Sequence, residues 1–346
     1  MAIVSRREFL RTSGTVVGAT MATSLAFRRR AGAAEKELIP KKLPFPPNDE
    51  YGSYEPTITG DGNTIYFARF AGTGDKRVVG TTTDIFVTHR IRQGGEWPGT
   101  GADWTVPERL PDTVNSDSMD QEPRISPDGK TLYFMSRRSG GLGGADIYVS
   151  HKQPNGEWSK AQNLGPNVNS QYVDHCFMPS GIPGEEDVSV FVSLRPREPG
   201  GAPSAGDLYA SRFERGAWQP AKRVESKLLD SIGYKCRVNA AAKDGLVLGV
   251  ISVHDFGKFH KMVFVHYDQA TKQWKGPLVE APFNLPNVDG ACPMFTADGD
   301  KMIWSSGQDR GPGPVSTSSG TGSLYDLFWL KTSDVVAYYR AKAGLS

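Results

Sequence analysis

Residues 122–151, EPRISPDGKTLYFMSRRSGGLGGADIYVSH, constrain the fold more than any other stretch, because they hold three strands and their connections. PRIS ends in Pro127-Asp128-Gly129, and an Asp-Gly step supplies the positive φ angles of a tight hairpin. Thr131 to Ser136 is β-branched and aromatic. A glycine-rich loop, residues 137–145, then leads to Asp146-Ile147-Tyr148-Val149-Ser150, where apolar and polar residues alternate as on a half-buried strand. Three strands this short cannot bury their own faces, so their partners must come from copies of the same unit.

Copies are present. The second strand recurs as Thr64-Ile65-Tyr66-Phe67, Val188-Ser189-Val190-Phe191-Val192, Leu246-Val247-Leu248-Gly249-Val250 and Lys301-Met302-Ile303-Trp304. The third recurs as Asp84-Ile85-Phe86-Val87, Asp207-Leu208-Tyr209-Ala210, Lys261-Met262-Val263-Phe264-Val265 and Asp326-Leu327-Phe328-Trp329. A fourth element follows the first four copies, opening on Trp104, Trp158, Trp218 and Trp274 at steps of 54, 60 and 56 residues. After the fifth copy it is missing. Upstream of the first copy, however, Lys41-Lys42-Leu43-Pro44 matches Glu108-Arg109-Leu110-Pro111, and Asn48 falls in register with Asn115.

Four-stranded repeats at this period predict an all-β chain folded as a five-bladed β-propeller over residues 36–334, with an N-terminal strand completing the last blade. A six-bladed ring with one degenerate blade and a linear β-sandwich array are the alternatives. Residues 335–346 read as a short helix or C-terminal tail, and the repeated tryptophans as packing between blades.

The repeat, clearest in SPDGKTLYFMSRRSGGLGGADIYVS with its flanking NLGPNVNS, resembles the WD-like propeller repeats of the C-terminal part of TolB and of many cell-envelope proteins. The resemblance implies the propeller fold over nearly the whole chain after residue 35. It implies little about activity, since such repeats serve interaction modules, peptidases and carbohydrate-active enzymes alike. The α/β domain that precedes the TolB propeller has no counterpart before the first blade.

Residues 1–33 resemble a twin-arginine (Tat) signal: Ser5-Arg6-Arg7-Glu8-Phe9-Leu10-Arg11 is followed by an apolar run at 14–27, three arginines and small residues. The expectation is export by the Tat translocase to the periplasm or another extracytoplasmic compartment. The apolar run is too short and too rich in Gly, Thr and Ala to span a bilayer. Without residues 1–33, which carry six arginines and Glu8, the formal charge falls from +2 to −3. That balance excludes a phosphate-tracking surface, and no nucleic-acid partner is expected.

In a propeller the first strands line an axial channel, and the loops leading into them form one funnel-shaped face. Aligning the copies on their turn glycines places Glu55, Glu122, Cys176 and Cys292 at one equivalent position, with Cys236 within two residues of it. All three cysteines therefore converge, with His175 beside one of them. Thiolate plus imidazole suits zinc or copper, making His175, Cys176, Cys236 and Cys292 the candidate metal ligands. The competing reading treats Cys as a small hydrophobe where inner strands crowd. A disulfide is limited by how far apart those strands sit.

Carboxylates converge on the same mouth. Glu55, Glu122, Asp174 and Asp289, with His175, are the candidate catalytic groups, since five-bladed glycosidases and related lyases bring two or three acids together in this way. The local acid motifs of those glycosidase families are absent. Arg137, Arg138, Arg195, Lys235, Arg237, His254 and Arg310 are candidate ligand-binding cations, suited to an anionic sugar or a peptide carboxylate. Arg137 and Arg138 have no strict counterpart in the other copies. The function expected is an exported binding protein whose funnel takes an envelope protein, peptide or glycan; a carbohydrate-active hydrolase or lyase, with or without metal, is the alternative.

Overall fold

The alternation within each repeat becomes a four-stranded antiparallel sheet, and five such sheets form a five-bladed β-propeller. The computed structural model describes residues 37–44, 46–48, 51–70, 82–92, 95–254, 260–284, 290–307 and 325–345. Blade one is Tyr54–Ile58, Thr64–Phe70, Thr83–His89 and Glu108–Arg109, and blade two is Asp120–Ile125, Thr131–Ser136, Asp146–His151 and Gln162–Asn163. Blade three comprises Asp174–Met178, Val188–Ser193 and Asp207–Glu214, its outer edge shared by Ala217–Trp218 and Lys222–Arg223. Blade four is Tyr234–Lys243, Leu246–His254, His260–Asp268 and Gln273–Glu280. Blade five contains Gly290–Phe295, Lys301–Ser306 and Asp326–Lys331, and Lys41–Lys42 is its outer strand.

Ring closure repeats a device used inside the other blades. Asn115 accepts a hydrogen bond from the Ile85 N–H (2.8 Å) and donates to the Ile85 and Leu110 carbonyls, so its amide acts as one more peptide on the third strand. Asn169 does the same to Ile147. Asn48 does it across the chain, accepting from Leu327 N–H (2.6 Å) and donating to the Leu327 and Leu43 carbonyls. The third-strand aspartates add a second tie: Asp84 to Arg109, Asp146 to Asn163, Asp207 to Arg223, and Asp326 to Lys42.

The tryptophans pack backwards onto the preceding blade. Trp158 of blade two meets Tyr66 of blade one edge-on at 6.1 Å, and Trp218 of blade three meets Tyr133 of blade two at 6.4 Å. Trp104 joins Ile303, Leu327 and Trp329 of blade five, and Trp274 joins Met178 and Val190 of blade three. Blade five has no such tryptophan. In the cluster shared by blades four and five, Val335, Val336 and Tyr339 of the C-terminal helix Thr332–Ala343 are buried instead. The Tyr339 hydroxyl also bonds His266 Nδ1 (2.9 Å) and the Pro277 carbonyl (3.1 Å), so this segment is part of the core.

The hairpin reading needs one refinement. Both Asp244 (φ 49°) and Gly245 (φ 74°) are left-handed in blade four, whereas blades one, two and five place only the glycine there. In those three the aspartate accepts from a hydroxyl two residues upstream: Thr59 to Asp61, Ser126 to Asp128, Thr296 to Asp298. That local bond favours a wider turn.

Candidate functional site

Every inner strand carries one residue more than its neighbour at the same height. Register passes from Tyr54↔Ala68 to Thr57↔Tyr66, from Gln121↔Met135 to Arg124↔Tyr133, and from His175↔Val192 to Met178↔Val190, with matching slips in blades four and five. These are five β-bulges, and the residues at them are Glu55, Glu122, Cys176, Cys236 and Cys292. The equivalence read from the turn glycines is thus a structural one. Glu55, Glu122, Cys176 and Cys292 hold φ between 54° and 63°, a left-handed conformation that costs a side-chain-bearing residue on the order of 1–3 kcal/mol. Cys236 does not share it.

Side chains from the bulges compensate the strain. Glu55 Oε2 accepts the Glu122 backbone N–H at 2.7 Å, and Glu122 Oε2 accepts the N–H of Cys176, so each carboxylate holds the next blade's bulge. Glu122 Oε1 lies 3.1 Å from His175 Nδ1 and 3.2 Å from Cys176 Sγ. Cys176 Sγ is 3.2 Å from the same imidazole nitrogen and 3.7 Å from Cys236 Sγ. The Tyr234 hydroxyl bonds His175 Nε2 at 2.9 Å, and Cys292 Sγ donates to Glu55 Oε1 at 3.6 Å. All five bulge residues and His175 are buried, and the three cysteines are free thiols.

Two arginines share the channel. Arg237 is fully buried; its Nη2 is 4.0 Å from Glu55 Oε1, yet Nε, Nη1 and Nη2 have no hydrogen-bond partner among the described residues. Arg124 is buried one level along, donating to the Pro56 and Pro123 carbonyls and the Met178 sulfur. Burial and the Cys292 and Glu122 charges push the Glu55 carboxyl well above its usual range. Burial acts the same way on Glu122, but His175 and Arg237 outweigh it and bring that carboxyl to about 2. Burial also raises the Cys176 thiol, while the hydrogen bond with Cys236 and the charges of His175 and Arg237 lower it to about 6. The Cys236 thiol is pushed up by its bonds to Cys176 and Cys292.

The remaining candidates separate. Asp174 is fully buried, paired with Arg195 at 2.8 Å, and caps Ser170 N–H; Asp120, Arg138 and Ser116 repeat this in blade two. Each arginine also binds a serine hydroxyl two residues back, Ser136 or Ser193, and stacks on Tyr148 or Tyr209. Arg138 and Arg195 are therefore equivalent braces, which corrects the expectation that Arg138 lacks a counterpart. Lys235 is buried, its ammonium turned to the Ile232 and Gly233 carbonyls and 4.0 Å from Asp207. Arg137 is exposed. Asp289, Arg310 and the signal-like residues 1–33 lie outside the described residues, as does the His254 side chain.

Sequence reasoning missed Arg124 and Tyr234. Arg124 carried a signal: it stands two residues past its bulge, where other blades have Thr57, Met178 and Met294. Tyr234 carried none, because its contact with His175 crosses between blades.

No family model matches the sequence, and a comparison with curated proteins finds no match. Solved structures do match in fold. An α-L-arabinofuranosidase from Lactobacillus brevis superposes with a TM-score of 0.54 at 10% identity, covering 82% of this chain and 92% of that one. A GH43_1 enzyme from Xanthomonas citri complexed with xylotriose gives 0.51 at 14% identity, covering 84% and 90%. TolB from Acinetobacter baumannii gives 0.42 at 17% identity; 80% of this chain is covered, which spans about half (54%) of the TolB chain. The likeness is one of fold.

Proposed function

We propose that this protein is an exported, extracytoplasmic binding propeller whose axial mouth takes a glycan of the cell envelope, a peptide or protein segment being the other ligand class. The observation that carries this reading is where the acids spend their oxygens. Glu55 and Glu122 hold backbone N–H groups of neighbouring bulges, and Asp120 and Asp174 are paired with arginines, so these four acids at the mouth already have a structural duty. At the same end of the inner strands, the half-buried rings of Tyr54, Phe70 and Tyr234 suit the apolar face of a sugar. The twin-arginine motif at Arg6-Arg7 supports Tat-dependent export, and replacing both arginines by lysine tests it by cell fractionation.

One observation favours a hydrolase or lyase as a second reading. Glu55 is pushed up and Glu122 down, and two adjacent carboxyls driven apart are what acid/base division of labour requires. Titrating the purified protein with xylo- and arabino-oligosaccharides and with peptidoglycan fragments, while measuring released reducing ends, separates the two. Binding without turnover, weakened at least about tenfold by Tyr54→Ala, supports the binding reading. Turnover abolished by Glu122→Gln in a folded variant refutes it in favour of the second.

A further inference from the structure

We propose that Glu122, Cys176 and Cys236 form a metal site inside the channel, for one zinc(II) ion or another thiophilic d10 cation, stitching blades two, three and four together. Ligand atoms of the three side chains all lie within 4.8 Å of one another, and all three are buried. They come from consecutive blades, one bulge each, so the site exists only where those three blades pack together.

The sulfur separation matches a shared ion. Two thiolates bound tetrahedrally at about 2.3 Å from zinc stand roughly 3.8 Å apart; Cys176 and Cys236 Sγ are 3.7 Å apart. For a thiolate and a carboxylate at about 2.1 Å the expected edge is roughly 3.6 Å, against 3.2 Å between Cys176 Sγ and Glu122 Oε1, so that edge is a few tenths of an ångström short. His175 Nδ1 lies 3.1–3.2 Å from both Glu122 and Cys176, close enough to complete or orient the set.

Charge argues the same way. Arg124 and Arg237 bring two buried cations to the channel, with Arg237 Nη2 4.0 Å from Glu55 Oε1. A bound metal holds both sulfurs as thiolates, which accept hydrogen bonds. Arg237 needs acceptors, since its buried Nε, Nη1 and Nη2 have none among the described residues. A purely space-filling role for the cysteines fits poorly, because the equivalent position in blades one and two carries a glutamate.

The experiment is metal titration of the purified, reduced full chain against a chromophoric chelator, with Zn2+ in one arm, anaerobic Cu+ in another, and Co2+ as a spectroscopic reporter of thiolate ligation. About one equivalent of tightly bound ion is expected, and whichever of the first two ions binds assigns the metal. Cys236→Ser and Cys176→Ser should each weaken binding at least about 100-fold, and Cys292→Ser far less. X-ray absorption of the loaded wild-type protein covers the case in which a variant misfolds: two sulfur neighbours plus nitrogen or oxygen are expected. Failure to bind a stoichiometric ion with all thiols reduced, or a first shell without sulfur, overturns the proposal. So does a full equivalent retained by a folded Cys176→Ser/Cys236→Ser double variant.

Discussion

Replacing Asn48 by alanine tests how much of the stability rests on closing the ring. In the native protein the Asn48 amide satisfies three backbone groups: Leu327 N–H, Leu327 C=O and Leu43 C=O. The Leu327 carbonyl keeps a second donor, Leu43 N–H at 2.8 Å, so the substitution strands two buried groups. Each unsatisfied buried group costs about 1–3 kcal/mol, which sets the loss at roughly 4 kcal/mol. For a domain of this size that lowers the thermal midpoint by about 8 °C. Asn115→Ala breaks the same bonds within blade one, where a short loop still tethers the outer strand, and should cost a similar amount at equilibrium. The two variants should differ in local opening. Only Asn48→Ala cuts a tie between residues 279 apart in the chain and so frees an outer strand from the far end of the sequence, and trypsin should cut early at Lys41 and Lys42 in that variant alone. Calorimetry and timed proteolysis read both quantities. If Asn48→Ala stays within about 1 kcal/mol of wild type, or Asn115→Ala opens the same site, the N-terminal strand does not lock the propeller as argued.

Three further outcomes follow from the packing. Gly249→Ala drives a methyl into the Trp274 ring, an overpacking expected to cost about 1–3 kcal/mol in chemical denaturation and to be partly relieved by Trp274→Leu; full additivity would count against the contact. Ending the chain at Lys331 exposes the blade four–blade five cluster that Val335, Val336 and Tyr339 cover, a loss of roughly 6 kcal/mol. The truncated protein should be largely unfolded by circular dichroism, and a native-like melting curve would refute the assignment of the helix to the core. Arg138→Ala leaves Asp120 buried and unpaired, and should destabilise by about 3–5 kcal/mol without changing ligand affinity in the folded fraction; lost affinity at unchanged stability would return Arg138 to the binding site.

The repeat made the fold legible. Alternation, turn glycines and spaced tryptophans are local signals, and five copies reinforced one another until only a radially closed sheet array accommodated them. Even the borrowed strand could be read, because Lys42 and Asn48 repeat the roles of Arg109 and Asn115. The C-terminal helix was less legible: its buried face matters only because blade five lacks the tryptophan that fills the other interfaces.

For the site, the sequence alone aligned Glu55, Glu122, Cys176 and Cys292, since equivalence within a repeat survives as register. It could not say that these positions are bulges, that the carboxylates grip the next blade, or that Arg138 and Arg195 are braces while Arg237 lies buried without a hydrogen bond. Those facts depend on contacts between blades, and a linear repeat encodes each blade's own geometry but not the rotation that carries one onto the next. The residue types at the channel belong to the sequence. Their 3.7 Å sulfur separation, their burial and their shared imidazole belong to the closed ring, where five bulged inner strands meet.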